Sequence, residues 1–170
     1  MKKYYKIIYL LLVFSIITAT PVYAAPAVQL KYAAANNDSE LLPPSEKLST
    51  DLVTKTPRGV FFSAAELKIL NEDGEIGVLG TAFMSTEVDE IYMTIYLDRW
   101  EDDNHWEQVD SFEFEFYAED YPDGLTSEMV AFTLTGYPKR HYYRLRGSYA
   151  AIKDGVVEGF GPTTDGIMIE

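Results

Sequence analysis

The sequence predicts an all-β protein built from antiparallel strands. Three observations predict it. From Arg58 onward, apolar residues recur with a period of two over short runs. Turn-forming pairs such as Asp73-Gly74 and Asp154-Gly155 separate those runs. No Cys is present, so neither a disulfide scaffold nor a Cys-ligated zinc or iron–sulfur site can organise the chain.

Taken in order, the first element is an expected signal peptide over residues 1–25. Met1 to Lys6 is basic, and Ile7 to Ile17 is apolar apart from Ser15. Thr18-Ala19-Thr20-Pro21 breaks the stretch, and Val22-Tyr23-Ala24 supplies the small residues of a cleavage site. The apolar run is shorter than the roughly 20 residues that span a bilayer, which places cleavage ahead of an uncleaved anchor. A lipoprotein would need a Cys to acylate. The expected product is secreted and extracellular, and an exported chain without Cys points to a Gram-positive source.

Residues 26–57 read as a disordered linker. Ala33-Ala34-Ala35-Asn36-Asn37-Asp38-Ser39 and Leu41-Leu42-Pro43-Pro44-Ser45 carry no sustained period and little apolar surface to offset ordering entropy. A short helix over Ser45 to Val53 is the competing reading.

Residues 58–170 form the β domain. Strands are expected near 60–70, 75–85, 90–100, 105–117, 128–135, 141–150 and 156–169, the last interrupted around Gly159-Phe160-Gly161-Pro162. The alternation is clearest in Ile91, Met93, Ile95 and Leu97, in Phe112, Phe114 and Phe116, and in Val130, Phe132 and Leu134. One face of each strand is therefore buried and the other wet. Seven strands in about 110 residues is the expectation for an immunoglobulin-like or fibronectin-like β-sandwich, with a small barrel or a jelly-roll fragment as alternatives.

Charge narrows the partners. Without residues 1–25 the chain holds 11 basic and 27 acidic side chains, a net charge of −16. Nucleic acid and anionic membrane surfaces are disfavoured on that ground, and no membrane insertion is expected after signal cleavage.

Two resemblances extend this picture. His141-Tyr142-Tyr143-Arg144-Leu145-Arg146-Gly147 resembles the sixth strand of the immunoglobulin-like superfold. That resemblance implies that Tyr143 is a tyrosine corner and that Leu145 stands where antibody domains carry Cys. Ile91 through Trp100, Trp106 through Phe116, Tyr142 through Gly147, and Thr164-Asp165-Gly166-Ile167 together resemble small secreted proteins of clostridia-like bacteria that share a domain of unknown function. This second resemblance covers about residues 58 to 170 and implies an exported single domain, with no reaction or ligand attached. Members often carry a His shortly after the Tyr-Tyr-Arg-Leu-Arg-Gly stretch, where this chain has Tyr149.

Two constellations are candidates for function. In the expected strand order the sixth strand pairs with the third, and the third with the fourth. The wet face then gathers Tyr92, Thr94 and Tyr96, Tyr142, Arg144 and Arg146, and Glu113 and Glu115. Such a row can be a cross-strand ladder, or a recognition surface rich in the residue types favoured at interface hot spots. Trp100, the better candidate of the two tryptophans for exposure, joins it as a ligand contact, whereas Trp106 shares parity with Phe112 and is expected in the core. The second constellation is an acidic hairpin. Asp98, Glu101, Asp103 and Asp120, with Glu119 and Asp123, are candidate oxygen ligands for Ca²⁺, although their spacing does not match a twelve-residue Ca²⁺ loop. A solvated acidic hairpin explains the same residues.

Catalysis is disfavoured. His105 and His141 are the only His residues, and each sits beside aromatics in a strand pattern. Ser148 is not in a nucleophile elbow, and Gly159-Phe160-Gly161 lacks the third Gly of a dinucleotide site. The expected function is a secreted, non-catalytic binding module for an extracellular protein or a cell-surface glycan, with no cofactor unless Ca²⁺ serves. A Ca²⁺-dependent adhesion-type module and a small glycan hydrolase are the alternatives.

Overall fold

A computed structural model describes residues 39–54, 59–102 and 104–170. The expected signal peptide over 1–25 and Asp103 lie outside the described residues, as does the part of the expected linker at 26–38 and 55–57.

Among the described residues, nine antiparallel strands are arranged in two sheets. The first sheet has the order β1-β2-β3-β6, formed by Leu48–Thr54, Phe62–Glu72, Glu75–Met84 and Ser127–Leu134. The second has the order β5-β4-β7-β8, formed by His105–Tyr117, Glu90–Glu101, His141–Lys153 and Val156–Phe160. The final strand, β9 (Ile167–Ile169), also pairs with β7. Strands stand at all seven expected positions, the last split in two. The pairings of β7 with β4 and of β4 with β5 are those the sequence led us to expect. Among the described residues no helix is long and apolar enough to cross a membrane.

Turn chemistry sets the tight hairpins. Asp73 and Gly74 both have positive φ and join β2 to β3, with the Gly74 N–H donating to the Asn71 side chain at 2.8 Å. Asp154 and Gly155 do the same between β7 and β8. Two consecutive left-handed residues match the right-handed twist of the flanking strands.

Inward residues of both sheets make one core. Leu67 and Ile69 of β2, Ile76 and Val78 of β3, Met93, Ile95 and Leu97 of β4, and Tyr143, Leu145 and Tyr149 of β7 are all buried in it. Tyr143 donates its hydroxyl to the Pro138 carbonyl at 2.8 Å, the backward bond expected of it. Tyr149 is also core, and its hydroxyl lies where a side chain on Gly80 would otherwise sit. A His there would carry its polar ring into apolar surroundings.

The described part of the expected linker corrects that expectation. Residues 48–54 form β1, neither a coil nor the competing helix, and pair with β2 from Leu48↔Leu70 to Thr54↔Ala64. Its inward residues are Ser49, Asp51 and Val53. Ser49 accepts the Asp165 N–H at 2.9 Å and Asp51 the Thr163 N–H at 2.7 Å. Short polar side chains that hold backbone give no apolar alternation, which is why the pattern is silent there.

Residues 161–166 close this side of the molecule. They bridge from the β1 side chains to β7 through Gly147 N–H to Pro162 O (2.7 Å) and Thr164 N–H to Leu145 O (2.9 Å). A strap at 39–42 binds in turn along 164–166, with a parallel bridge between Leu41 and Gly166. The opposite side, between end strands β5 and β6, is filled by ring contacts. Phe132 of β6 lies 5.1 Å from Phe112 and 5.7 Å from Phe114 of β5, centroid to centroid.

Replacing Tyr143 by Phe should destabilise the fold by about 1 kcal/mol through loss of one internal hydrogen bond. Replacement by Ala should cost about 3–5 kcal/mol because a cavity follows. Urea denaturation checks both, and an Ala variant as stable as the parent would remove Tyr143 from its corner role.

Candidate functional site

The outer face of the β5-β4-β7 sheet carries the expected recognition residues. Register sets Tyr92 opposite Ala150, Thr94 opposite Ser148, Tyr96 opposite Arg146 and Asp98 opposite Arg144. On the other flank Tyr92 faces Glu115 and Thr94 faces Glu113. The outward parity expected for these residues holds.

Two of them are nevertheless not available as surface. Arg144 is only 2% exposed and Asp98 only 1%. Arg144 Nε donates to Asp98 Oδ2 at 3.0 Å, and its Nη1 donates to Ser39 Oγ at 3.0 Å. Trp106 lies over its guanidinium, 4.6 Å from Cζ to ring centroid. Burial pushes the Arg144 guanidinium below its ordinary pKa, and the Asp98 charge opposes that shift. Arg146 completes the cluster, with Nε donating to Asp98 Oδ2 at 2.6 Å and Nη2 to Asp98 Oδ1 at 3.0 Å. Its Nη2 also reaches Gln108 Oε1 at 3.1 Å, and Tyr96 stacks 5.0 Å away. The exposed role expected for Arg144 is therefore corrected: it sits beneath the strap and an indole. Arg146, with its side chain 14% exposed, is held by Asp98.

A bulge explains Trp106. The register steps from Leu97↔Asp110 to Asp98↔Gln108, leaving Val109 without a counterpart. Parity reverses there, because an extra residue turns every following side chain to the other face. Phe112, Phe114 and Phe116 thus face the core, whereas Trp106 pairs with Trp100 on the outer face, ring centroids 5.1 Å apart. The core position expected for Trp106 is corrected accordingly. Its outer tip is packed where a side chain on Gly166 would fall, beside Leu41. Its Nε1 and the buried Ser148 Oγ find no hydrogen-bond partner among the described residues.

What remains accessible is aromatic and acidic. Tyr92, Tyr96, Trp100 and Tyr142 are each partly exposed, with Ser111, Glu113 and Glu115 exposed beside them on β5. Tyr92 donates its hydroxyl to Glu90 and meets Tyr117 edge-on at 6.2 Å. Tyr117 donates to Glu115 at 2.5 Å. Burial and the neighbouring Glu90 carboxylate both push the Tyr92 phenol well above its ordinary pKa, so it stays protonated and can donate at neutral pH.

Among the described candidate Ca²⁺ ligands, Asp98, Glu101 and Asp120 do not converge, and Asp103 lies outside the described residues. Asp98 is held by two arginines, and Glu101 accepts from Arg99 Nε at 2.5 Å. Asp120 follows Tyr117, which pairs with Glu90 at the far end of β4. At 3.3 Å per residue that end is about 25 Å from Asp98. Among the described residues no group of three or more His, Asp or Glu is placed to hold a metal.

One concavity had no signal in the sequence. A cavity of about 420 Å³ at the Glu90 end is lined by Glu87, Asp89, Tyr121, Asp123, Lys153 and Asp154 among others, drawn from separate loops and the end of β7. Lys153 Nζ is taken by the Glu87 carbonyl at 2.6 Å, and Asp89 accepts the Asp154 N–H at 2.7 Å.

No family model matches the chain, and no curated protein matches it.

A thermal melt in millimolar Ca²⁺ should give the same midpoint as one in excess EDTA. An ion bound only by the native state must raise the midpoint by mass action. A rise of several degrees that is lost on Glu101→Gln would reinstate the hairpin as a metal site.

Proposed function

We propose that the protein is a secreted, non-catalytic binding module of the immunoglobulin-like sandwich class, and that the outer face of β4 and β5 engages a cell-surface glycan. The sheet orders support the class: β7, β4 and β5 lie side by side in one sheet, and β2, β3 and β6 in the other. The observation that carries the glycan is the company the accessible rings keep. Tyr92 and Tyr96 stand on one strand, about 13 Å apart at 3.3 Å per residue, with Ser111, Glu113 and Glu115 beside them. Flat rings can stack on the apolar faces of sugars, and carboxylates and hydroxyls can bind sugar hydroxyl groups.

A protein ligand at this face is less favoured because the two arginines are taken. Arg is among the strongest interface anchors, yet Arg144 is buried and Arg146 is held by Asp98. The lining that remains suits a hydroxyl-rich ligand better than an anionic one.

Screening the purified protein on a glycan array and against soluble peptidoglycan fragments should yield a saturable ligand. Tyr92→Ala with Tyr96→Ala should weaken it at least about tenfold, the size expected when aromatic anchors are truncated. Both rings are partly exposed, so the variant should melt near the parent. Binding that survives the double change, or no glycan ligand beside a protein ligand mapped to these rings, would overturn the proposal.

A further inference from the structure

We propose that the free edge of β5 docks an extended cationic segment of a partner protein, which extends the sheet by one strand and alternates Lys or Arg with apolar side chains. The inference shares Glu113 and Glu115 with the glycan reading but rests on the free edge and the inner flank of β5, which that reading does not use.

Among the described residues β5 pairs with β4 alone, although it is 13 residues long. A strand end of a sheet presents a row of unpaired N–H and C=O groups, a template for another strand. The bulge at Val109 confines the regular part of this edge to Asp110–Tyr117. The two sides of the molecule differ in how they are closed. Hydrogen bonds from the backbone of residues 161–166 tie the β1 side chains Ser49 and Asp51 to the β7 backbone, whereas β5 and β6 are joined by rings. Phe112, Phe114 and Phe132 in that seam are only partly buried. Carboxylates bound it: Asp110 accepts from Tyr137 at one end, and Glu128 stands near Tyr121 at the other.

An added strand would meet two different flanks. Residues on its outer face would fall beside Glu113 and Glu115, both exposed and without a basic side chain opposite them in β4. Residues on its inner face would cover Phe112 and Phe114. Period two then dictates the partner's pattern, cationic and apolar by turns. Charge also excludes a second copy as occupant. Pairing β5 with itself would set rows of glutamate together on one face, in a chain whose net charge is already −13.

The test is fluorescence anisotropy of the purified protein with a labelled peptide of about ten residues alternating Lys and Val. Two controls go beside it: the same peptide N-methylated along one edge, and its Glu–Val counterpart. The Lys–Val peptide should bind saturably, with backbone amide NMR shifts confined to Asp110–Tyr117 and the Phe132 region. N-methylation should weaken it at least about tenfold, and so should Glu113→Gln with Glu115→Gln. Equal binding of the N-methylated peptide would mean charge attraction alone and overturn the proposal. So would shifts mapped away from β5, binding that appears only after residues 1–38 are removed, or self-association through this edge.

Discussion

The buried Asp98 carboxylate is the constraint on which the outer face depends. It lies on the side of β4 that alternation assigns to water, yet Arg144 and Arg146 both bond to it. A charge cluster withdrawn from water needs cover and saturated partners, because desolvation of each ion otherwise costs several kcal/mol. Three features supply them. The bulge in β5 brings Trp106 over Arg144, the strap brings Ser39 to its Nη1, and Gln108 completes Arg146. Gly166 belongs to the same arrangement, since a side chain there would strike Trp106 and Leu41.

This cluster divides the face by chemistry. At the hairpin end the polar groups satisfy one another beneath an indole. Toward the start of β4 the lining is Tyr92, Tyr96 and the acidic residues of β5, open to a ligand. The two long sides of the domain differ in the same way. Where β1 faces β7, backbone groups of residues 161–166 are consumed by Ser49, Asp51 and β7. Where β6 faces β5, rings fill the gap and a strand edge is left over.

Much of this was legible in the sequence, for a physical reason. Ile91 to Leu97, Phe112 to Phe116 and Val130 to Leu134 bury one face each, and burial of one face writes period two directly. The hairpins at Asp73-Gly74 and Asp154-Gly155 need left-handed residues, so composition marks them. β1 was silent because its inward side chains bind backbone rather than fill a core. Period two from Phe112 puts Trp106 on the wrong face because a bulge leaves no compositional mark, yet reverses the parity between Trp106 and the residues beyond it. Arg144 was expected in water because alternation reports which side of the sheet a residue takes, and the strap that covers that side comes from over a hundred residues away. The separation of Asp98 from Asp120 is likewise set by strand length, whereas their nearness in sequence suggested a cluster.

A double-mutant cycle on Asp98 and Arg144, followed by urea denaturation, tests the central role of this pair most directly. Asp98→Asn should lose about 3–5 kcal/mol, since it strands the buried Arg144, and Arg144→Met should lose less, since Arg146 still holds Asp98. The double variant should lose little more than the worse single change, because the two losses share one interaction. Single losses under about 1 kcal/mol that simply add would contradict the account and return the pair to the status of a surface ion pair.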